Sequence, residues 1–386
     1  MLTLLRNARV FAPAPLGVVD LLVAAGTVVC IGAPGTAGVS GVPCDLVDLD
    51  GARVIPGLID GHAHLTGGGG EAGPATRVPA PALSRYTIGG VTSVIGVLGT
   101  DDVTRSTSDL VASARGLEAE GLSAWCLSGG YHVPPVTLTG TVRGDIAQID
   151  RIIGVGEVAI SDHRSSQPTL DDLLRIASEA HVGGLMSGKA GVLHLHVGDG
   201  TRGLELIRAA LITSELPARV FNPTHVNRKQ ALFEEALALA SFGCTVDITA
   251  FPVDKGEDAW SADVALERYL DSTAPTARVT ISSDGGGCLP VFDADGRVSR
   301  MEVGASTSLA ETLGLLLARG HAMERVLPAF TSNVAAHWRL VAKGRVAIGA
   351  DADLVVLDDR HRVRDVMSRG VWHVRDGQIV RRGMFE

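Results

Sequence analysis

The chain opens with short apolar, β-branched runs broken by Gly and Pro turns, as in Val18-Val-Asp-Leu-Leu-Val-Ala-Ala before Gly26 and Val28-Val-Cys-Ile-Gly after it. Runs of this kind predict short antiparallel strands over residues 1–52. The same texture returns in Ala352-Asp-Leu-Val-Val-Leu, Val363-Arg-Asp-Val-Met, Gly370-Val-Trp-His-Val and Gln378-Ile-Val. Neither end carries enough strands for a stable sheet, so residues 1–52 and 343–386 are expected to combine into one small β-sandwich. Residues 53–342 read differently, with apolar strand-like runs alternating with helical stretches. Eight such runs are present: Val54 to Ile59, Val91 to Val97, Ala124 to Ser128, Ile152 to Ile160, Val192 to Val197, Val220 to Val226, Cys244 to Thr249 and Arg278 to Ser283. Together they predict an α/β fold, a closed (β/α)8 TIM-like barrel, whose reactive groups belong at the carboxyl ends of the strands.

Composition narrows the setting. A hydrophobic share of 46% assures a sizeable core, yet no apolar run approaches the roughly 18 residues of a membrane span, so no membrane partner is expected. The opening residues interrupt their apolar stretch with Arg6 and Arg9 and lack the long centre of a secretory signal. Cys30, Cys44, Cys126, Cys244 and Cys288 are scattered, without a Cys-x-x-Cys pair, and read as reduced thiols. A cytoplasmic location follows as the expectation. Net charge is −9 with no basic cluster, which argues against nucleic acid as a partner.

The candidate chemistry sits at the strand ends. His62 and His64 close an apolar strand at i, i+2 spacing, so both can grip one metal ion from the same face. Gly67 to Gly70, directly after, suit a loop that approaches something closely. Further strand ends bring Glu157 with Asp162, His163 and Arg164, then His194 and His196, then His225 with Arg228, and finally Asp284. His194 and His196 share a strand face, and spacing leaves open which of them is a ligand; His196 is favoured for lying nearer the strand end. His163 is expected to be structural or outer, and His132, His181, His321, His337, His361 and His373 carry no metal assignment. Histidines and carboxylates in this number suit Zn2+ or a similar ion. Two ions would need a bridging anion besides hydroxide, for which Glu157 is the candidate, while Asp284 would ligate and move the proton of the bridging water.

These residues also carry a family resemblance. The chain resembles the amidohydrolase superfamily, and specifically the isoaspartyl dipeptidases, from end to end. The distinctive pieces are Pro56-Gly-Leu-Ile-Asp-Gly-His-Ala-His-Leu-Thr-Gly-Gly-Gly-Gly-Glu-Ala-Gly-Pro74, Val91-Thr-Ser-Val, Leu98-Gly-Thr-Asp101 and Gly130-Tyr-His-Val-Pro134. Ala159-Ile-Ser-Asp-His-Arg-Ser165, Pro223-Thr-His-Val-Asn-Arg228 and Ser282-Ser-Asp-Gly285 add to them, and Lys343-Gly-Arg-Val-Ala-Ile-Gly-Ala-Asp-Ala-Asp-Leu354 is similar to a superfamily-wide turn. The resemblance implies a binuclear zinc hydrolase of β-aspartyl dipeptides, assembled as a homo-oligomer. It implies His62, His64, His196, His225 and Asp284 as metal ligands, with Asp284 also the general base and acid. Glu71 would meet the α-ammonium of a small zwitterionic dipeptide, Arg164 and Arg228 would hold its carboxylates, and Tyr131 would donate to the scissile carbonyl oxygen. Gly69 and Thr100 would touch the substrate as well.

Two positions depart from the family pattern. Glu157 stands where a carbon-dioxide-modified lysine is expected, and Lys189, Lys229, Lys255 and Lys343 all lie elsewhere in the chain. Both groups present a two-oxygen anion, but the glutamate is shorter, so the strand or the metals must shift if it is to bridge. Cys288 replaces a serine expected to bind a substrate carboxylate, and a thiol is the weaker donor. An amidohydrolase acting on N-acyl amino acids or cyclic amides would share the ligand set; the charged trio Glu71, Arg164 and Arg228 argues for a dipeptide instead. A non-catalytic homologue would show lost ligands, whereas here one position is altered, to another competent ligand.

Overall fold

Five strands come before the barrel: β1 (Leu2–Phe11), β2 (Pro15–Ala24), β3 (Thr27–Gly32), β4 (Asp45–Asp48) and β5 (Arg53–Pro56). The computed structural model describes residues 2–38, 40–292 and 298–386. Its barrel strands are β6 (Leu58–Ala63), β7 (Val91–Gly96), β8 (Ser123–Ser128), β9 (Ile152–Ile160), β10 (Val192–Val197), β11 (Phe221–Thr224), β12 (Val246–Thr249) and β13 (Val279–Ser282). A hairpin of β14 (Cys288–Phe292) and β15 (Val298–Val303) follows, and β16 (Leu354–Leu357), β17 (Val363–Ser368), β18 (Val371–Arg375) and β19 (Gln378–Ile379) complete the strands.

Strands β6 to β11 pair in chain order as one parallel sheet, and β12 pairs with β13, also in parallel. Side chains along β6 to β13 are almost all buried, as expected of parallel strands covered on both faces. The ring closes through the residues just past the strand ends. Val226 N donates to Asp247 O at 3.3 Å, while His64 N donates to Gly285 O at 2.8 Å and Asp284 N to His62 O at 3.1 Å. Closure therefore sets the histidines of β6 beside Asp284 through the backbone itself. Helices run between the strands; Leu170–Ser187 begins on a reciprocal Thr169/Asp172 capping box and stops at Gly188, whose φ is 73°.

The two chain ends share one nine-stranded sheet, in which β5 lies between β1 and β16. This corrects the reading of Val54 to Ile59 as a single barrel strand. Residues Val54 to Pro56 pair with Val356 to Leu354 in the terminal sheet, and the barrel strand begins at Leu58. The break falls at Gly57, where a Cβ would meet Thr92 Oγ1 at 2.0 Å. The run is apolar throughout because Val54 packs into the sheet's core while Leu58 packs into the barrel's; hydrophobicity alone does not separate two adjoining cores. At the return to the sheet, Lys343 Nζ is buried against Asp351 at 2.7 Å and Asp353 at 2.6 Å, and donates to Ser123 Oγ of β8 at 2.6 Å. The Lys343 turn is thus an ion-paired rivet between sheet and barrel. Among the described residues no helix is long and apolar enough to cross a membrane.

Candidate metal centre and substrate cleft

His62 and His64 enter the barrel mouth from β6, and a bulge brings Glu157 to meet them. Val155 lies opposite Leu193 and Val158 opposite Leu195, so Gly156 and Glu157 together face the single residue His194. One extra residue re-aims the chain locally. Gly156 makes it feasible, because its φ is +138° and a Cβ would meet His194 O at 2.4 Å. The Glu157 carboxylate then spans two histidine pairs. Oε1 lies 3.5 Å from both His62 Nε2 and His64 Nε2, and Oε2 lies 3.3 Å from His196 Nδ1 and 3.6 Å from His225 Nε2. Asp284 Oδ1 is 3.0 Å from His64 Nε2 and 3.4 Å from His62 Nε2. His225 and Asp284 hold left-handed backbone, with φ of 61° and 53°, uncommon away from glycine and typical of a sharp exit from a strand.

Electrostatics at this point call for positive charge. Burial alone would raise the Glu157 and Asp284 carboxyls, but the surrounding histidines outweigh it and hold both below the usual carboxylate range. Burial opposes a charged His62, yet Glu157 and Asp284 lift it well above an ordinary histidine. Burial keeps His225 near 3, which leaves it neutral. His62 Nε2, Asp284 Oδ1 and both Glu157 oxygens are buried without a hydrogen-bond partner. So many orphaned polar atoms in one place are costly unless a cation satisfies them. The donor set fits a divalent ion: His62, His64 and Asp284, and separately His62, Glu157 and His225, bring ligand atoms within 4.8 Å of one another among the described residues.

The remaining nitrogens of His62, His196 and His225 point outward to supports, whereas His64 Nδ1 has no hydrogen-bond partner among the described residues. His196 Nε2 is 2.9 Å from Asp162 Oδ2 and His225 Nδ1 is 2.7 Å from Thr249 Oγ1. His62 Nδ1 is 2.8 Å from His194 Nε2. Of the two residues that spacing left open, His196 is the one facing Glu157, and His194 stands behind His62. His163 is exposed beside Asp162. Below the histidines, Asp60 accepts from Ser283 N at 3.0 Å and from the Ser283 and Ser306 hydroxyls, with burial pushing its carboxyl up to about 6.

Above this floor opens a cavity of about 1100 Å³, lined by Gly69, Glu71, Thr100, Tyr131, Arg164, Arg228 and Cys288. Arg164 grips Asp162 through Nε at 3.1 Å and Nη2 at 2.7 Å, and its Nη1 is 3.5 Å from Glu71 Oε1. Thr100 Oγ1 donates to Glu71 Oε1 at 3.2 Å. Arg228 Nη1 donates to Val197 O at 2.9 Å, with Nε 3.6 Å from Asp199. Tyr131 OH lies 2.8 Å from His196 Nδ1; burial and the Glu157 charge hold it well above an ordinary phenol's pKa, so it stays a donor. Cys288 Sγ sits 3.2 Å from Met301 Sδ, and burial with the Glu71 and Asp284 charges pushes the thiol up to about 11. It remains protonated and a poor nucleophile.

Sequence reasoning missed Arg105. Its guanidinium donates to Gly68 O at 2.8 Å, Gly69 O and Thr66 O at 3.2 Å, and pairs with Asp101 at 2.9 Å, pinning the glycine loop. Apart from Asp101, its partners are carbonyls, which leave no mark in a sequence. Asp162 was visible as a neighbour of Arg164, but its grip on His196 depends on strand packing alone.

A parallel eight-stranded barrel with histidines and carboxylates converging at its strand ends, riveted to a sheet made by both termini, defines an amidohydrolase-type protein. No family model matches the chain. Dihydropyrimidinase from Brevibacillus agri NCHU1002 is 17% identical, with a TM-score of 0.71 over 99% of this chain and 97% of that one. N-acetylglucosamine-6-phosphate deacetylase from Pasteurella multocida is 14% identical, with a TM-score of 0.64 over 97% and 100%. At those identities the likeness is one of fold. The β-aspartyl dipeptidase of Fervidobacterium islandicum AW-1, solved in complex with a β-Asp-Leu dipeptide, is 41% identical, with a TM-score of 0.90 over 98% of each chain. The chain belongs to the β-aspartyl dipeptidase family.

Proposed function

We propose that this protein is a zinc-dependent isoaspartyl dipeptidase, with two ions held by His62, His64, His196, His225, Asp284 and a bridging Glu157. The observation that carries the reading is the charge plan of the cavity. Among the charged residues that line the cavity, the carboxylate Glu71 and the guanidiniums Arg164 and Arg228 stand above the donor cluster that forms its floor. A β-aspartyl dipeptide carries one ammonium and two carboxylates, the matching complement. For the metals, the support is that the two Glu157 oxygens face different histidine pairs. Bound there, zinc would polarise the scissile carbonyl and acidify a water at neutral pH.

The protein's own groups do the rest. Asp284, kept ionised by His62 and His64, accepts the proton of the attacking water and delivers it to the leaving amine. Tyr131 turns its hydroxyl from His196 to the carbonyl oxygen as negative charge develops there. Glu71 receives the α-ammonium, Arg164 and Arg228 hold the carboxylates as charged forks, and Gly69 and Thr100 complete the wall. Cys288, where a hydroxyl would donate more strongly, weakens one of these contacts.

A hydrolysis panel of β-Asp, other β-linked and α-Asp dipeptides, with N-acyl amino acids and cyclic amides as controls, tests the reading. Selective cleavage of β-Asp dipeptides is expected, and cleavage restricted to the controls rejects it. Metal analysis of the purified protein should return about two ions per chain, as in other two-metal sites, without any dependence of activity on bicarbonate.

A further inference from the structure

The hydrogen bonds behind His62 form a chain whose proton positions can be deduced. Asn222 Nδ2 donates to Thr245 O at 2.7 Å, which turns Asn222 Oδ1, an acceptor, toward His194 Nδ1 at 2.7 Å. His194 Nδ1 must therefore carry a proton. In a neutral imidazole the other nitrogen then has only a lone pair. That nitrogen, His194 Nε2, lies 2.8 Å from His62 Nδ1, so His62 Nδ1 is the donor between them. The one nitrogen of His62 left to offer a lone pair is Nε2, which faces Glu157 Oε1 at 3.5 Å and Asp284 Oδ1 at 3.4 Å.

The other histidines lack this arrangement. Thr249, behind His225, is a hydroxyl that can donate or accept, and so imposes no tautomer. Asp162, behind His196, imposes one but adds a negative charge. His64 Nδ1 has no hydrogen-bond partner. His62 Nε2 already faces two carboxylates, Glu157 and Asp284, and a neutral imidazole behind the ring fixes it without adding a further negative charge. Trp338, with its ring 5.8 Å from that of His194, packs against the relay.

We propose that His194 is a positioning residue for the metal centre: a neutral relay, anchored by Asn222, that accepts from His62 and commits the Nε2 of His62 to a cation. The inference rests on the reading of His62 as a metal ligand. Support of this kind typically changes metal affinity by roughly 10–100-fold when removed.

The test compares His194→Gln, His194→Asn and His194→Phe in the full chain, with folding followed by circular dichroism and zinc affinity of the metal-stripped protein measured against a chromophoric chelator. A glutamine amide reaches the position of imidazole Nε2, whereas an asparagine amide reaches only that of Nδ1. Gln is expected to keep zinc affinity near wild type, and Asn and Phe to weaken it by roughly 10–100-fold. If Phe fails to fold, the Gln and Asn pair decides. Histidine 15N spectra of the metal-free protein should show one ring, lost in His194→Gln, protonated at Nδ1 and bare at Nε2. Wild-type zinc affinity in folded His194→Asn, or a His194 ring protonated at Nε2, overturns the relay while leaving the metal reading intact. A wild-type protein that binds no zinc overturns the metal reading itself, and the relay's purpose with it.

Discussion

The floor and the rim of the cavity are both made of charged and polar groups, yet they are built by opposite means. On the floor, His62 and Glu157 are 0% and 1% exposed, each stands on or just past a barrel strand, and most have an outer partner that orients them. At the rim, Glu71, Arg164 and Arg228 are 23–24% exposed, sit on loops, and pair with each other or with neighbours. Water screens the rim charges, so partners there exchange at little cost. The buried floor atoms have no hydrogen-bond partner among the described residues, so the floor suits a cation. Damage to the floor should therefore appear in metal content and turnover, and damage to the rim in substrate affinity.

The sharpest break of this contrast is Asp284→Asn, expected to lower kcat by about 10²–10⁴-fold; a change confined to KM would show that the floor does not perform the chemistry. Tyr131→Phe removes a buried donor from between floor and rim, and kcat should fall by about 10²–10³-fold with zinc content unchanged. Arg228→Lys keeps the charge but loses the fork, so steady-state kinetics should show KM raised by about tenfold or more, from about 1.5–3 kcal/mol of charge-assisted bonding. A fall in kcat alone would move Arg228 to the floor's side of the comparison. Cys288→Ser should improve KM for β-aspartyl dipeptides by a few-fold, corresponding to about 0.5–1.5 kcal/mol; worse kinetics would assign the thiol a role of its own.

The strand-end logic made much of this legible without coordinates. Apart from the first, whose run divides between two sheets, the barrel strands appear within a few residues of their expected runs, and His62, His64, Glu157, His196, His225 and Asp284 converge on one point. The split at Gly57 was illegible because two cores adjoin along one apolar run. Arg105 was illegible because backbone carbonyls bind most of its guanidinium, and the support of His196 by Asp162 because Asp162 lies in the loop after β9 while His196 stands on β10.

Local pattern thus determined the alternation of strand and helix, the pairing of the chain ends and the residue types at each strand end, since periodicity and turn chemistry act over neighbouring residues. Motif content likewise pointed to the family. Only the tertiary structure faces His196 toward Glu157 and sets His194 behind His62, aims Glu157 through the Gly156 bulge, and sets Arg164 between Asp162 and Glu71. Those outcomes depend on which groups meet across strands distant in the chain, where a shift of one residue exchanges a nitrogen that faces Glu157 for a supporting one.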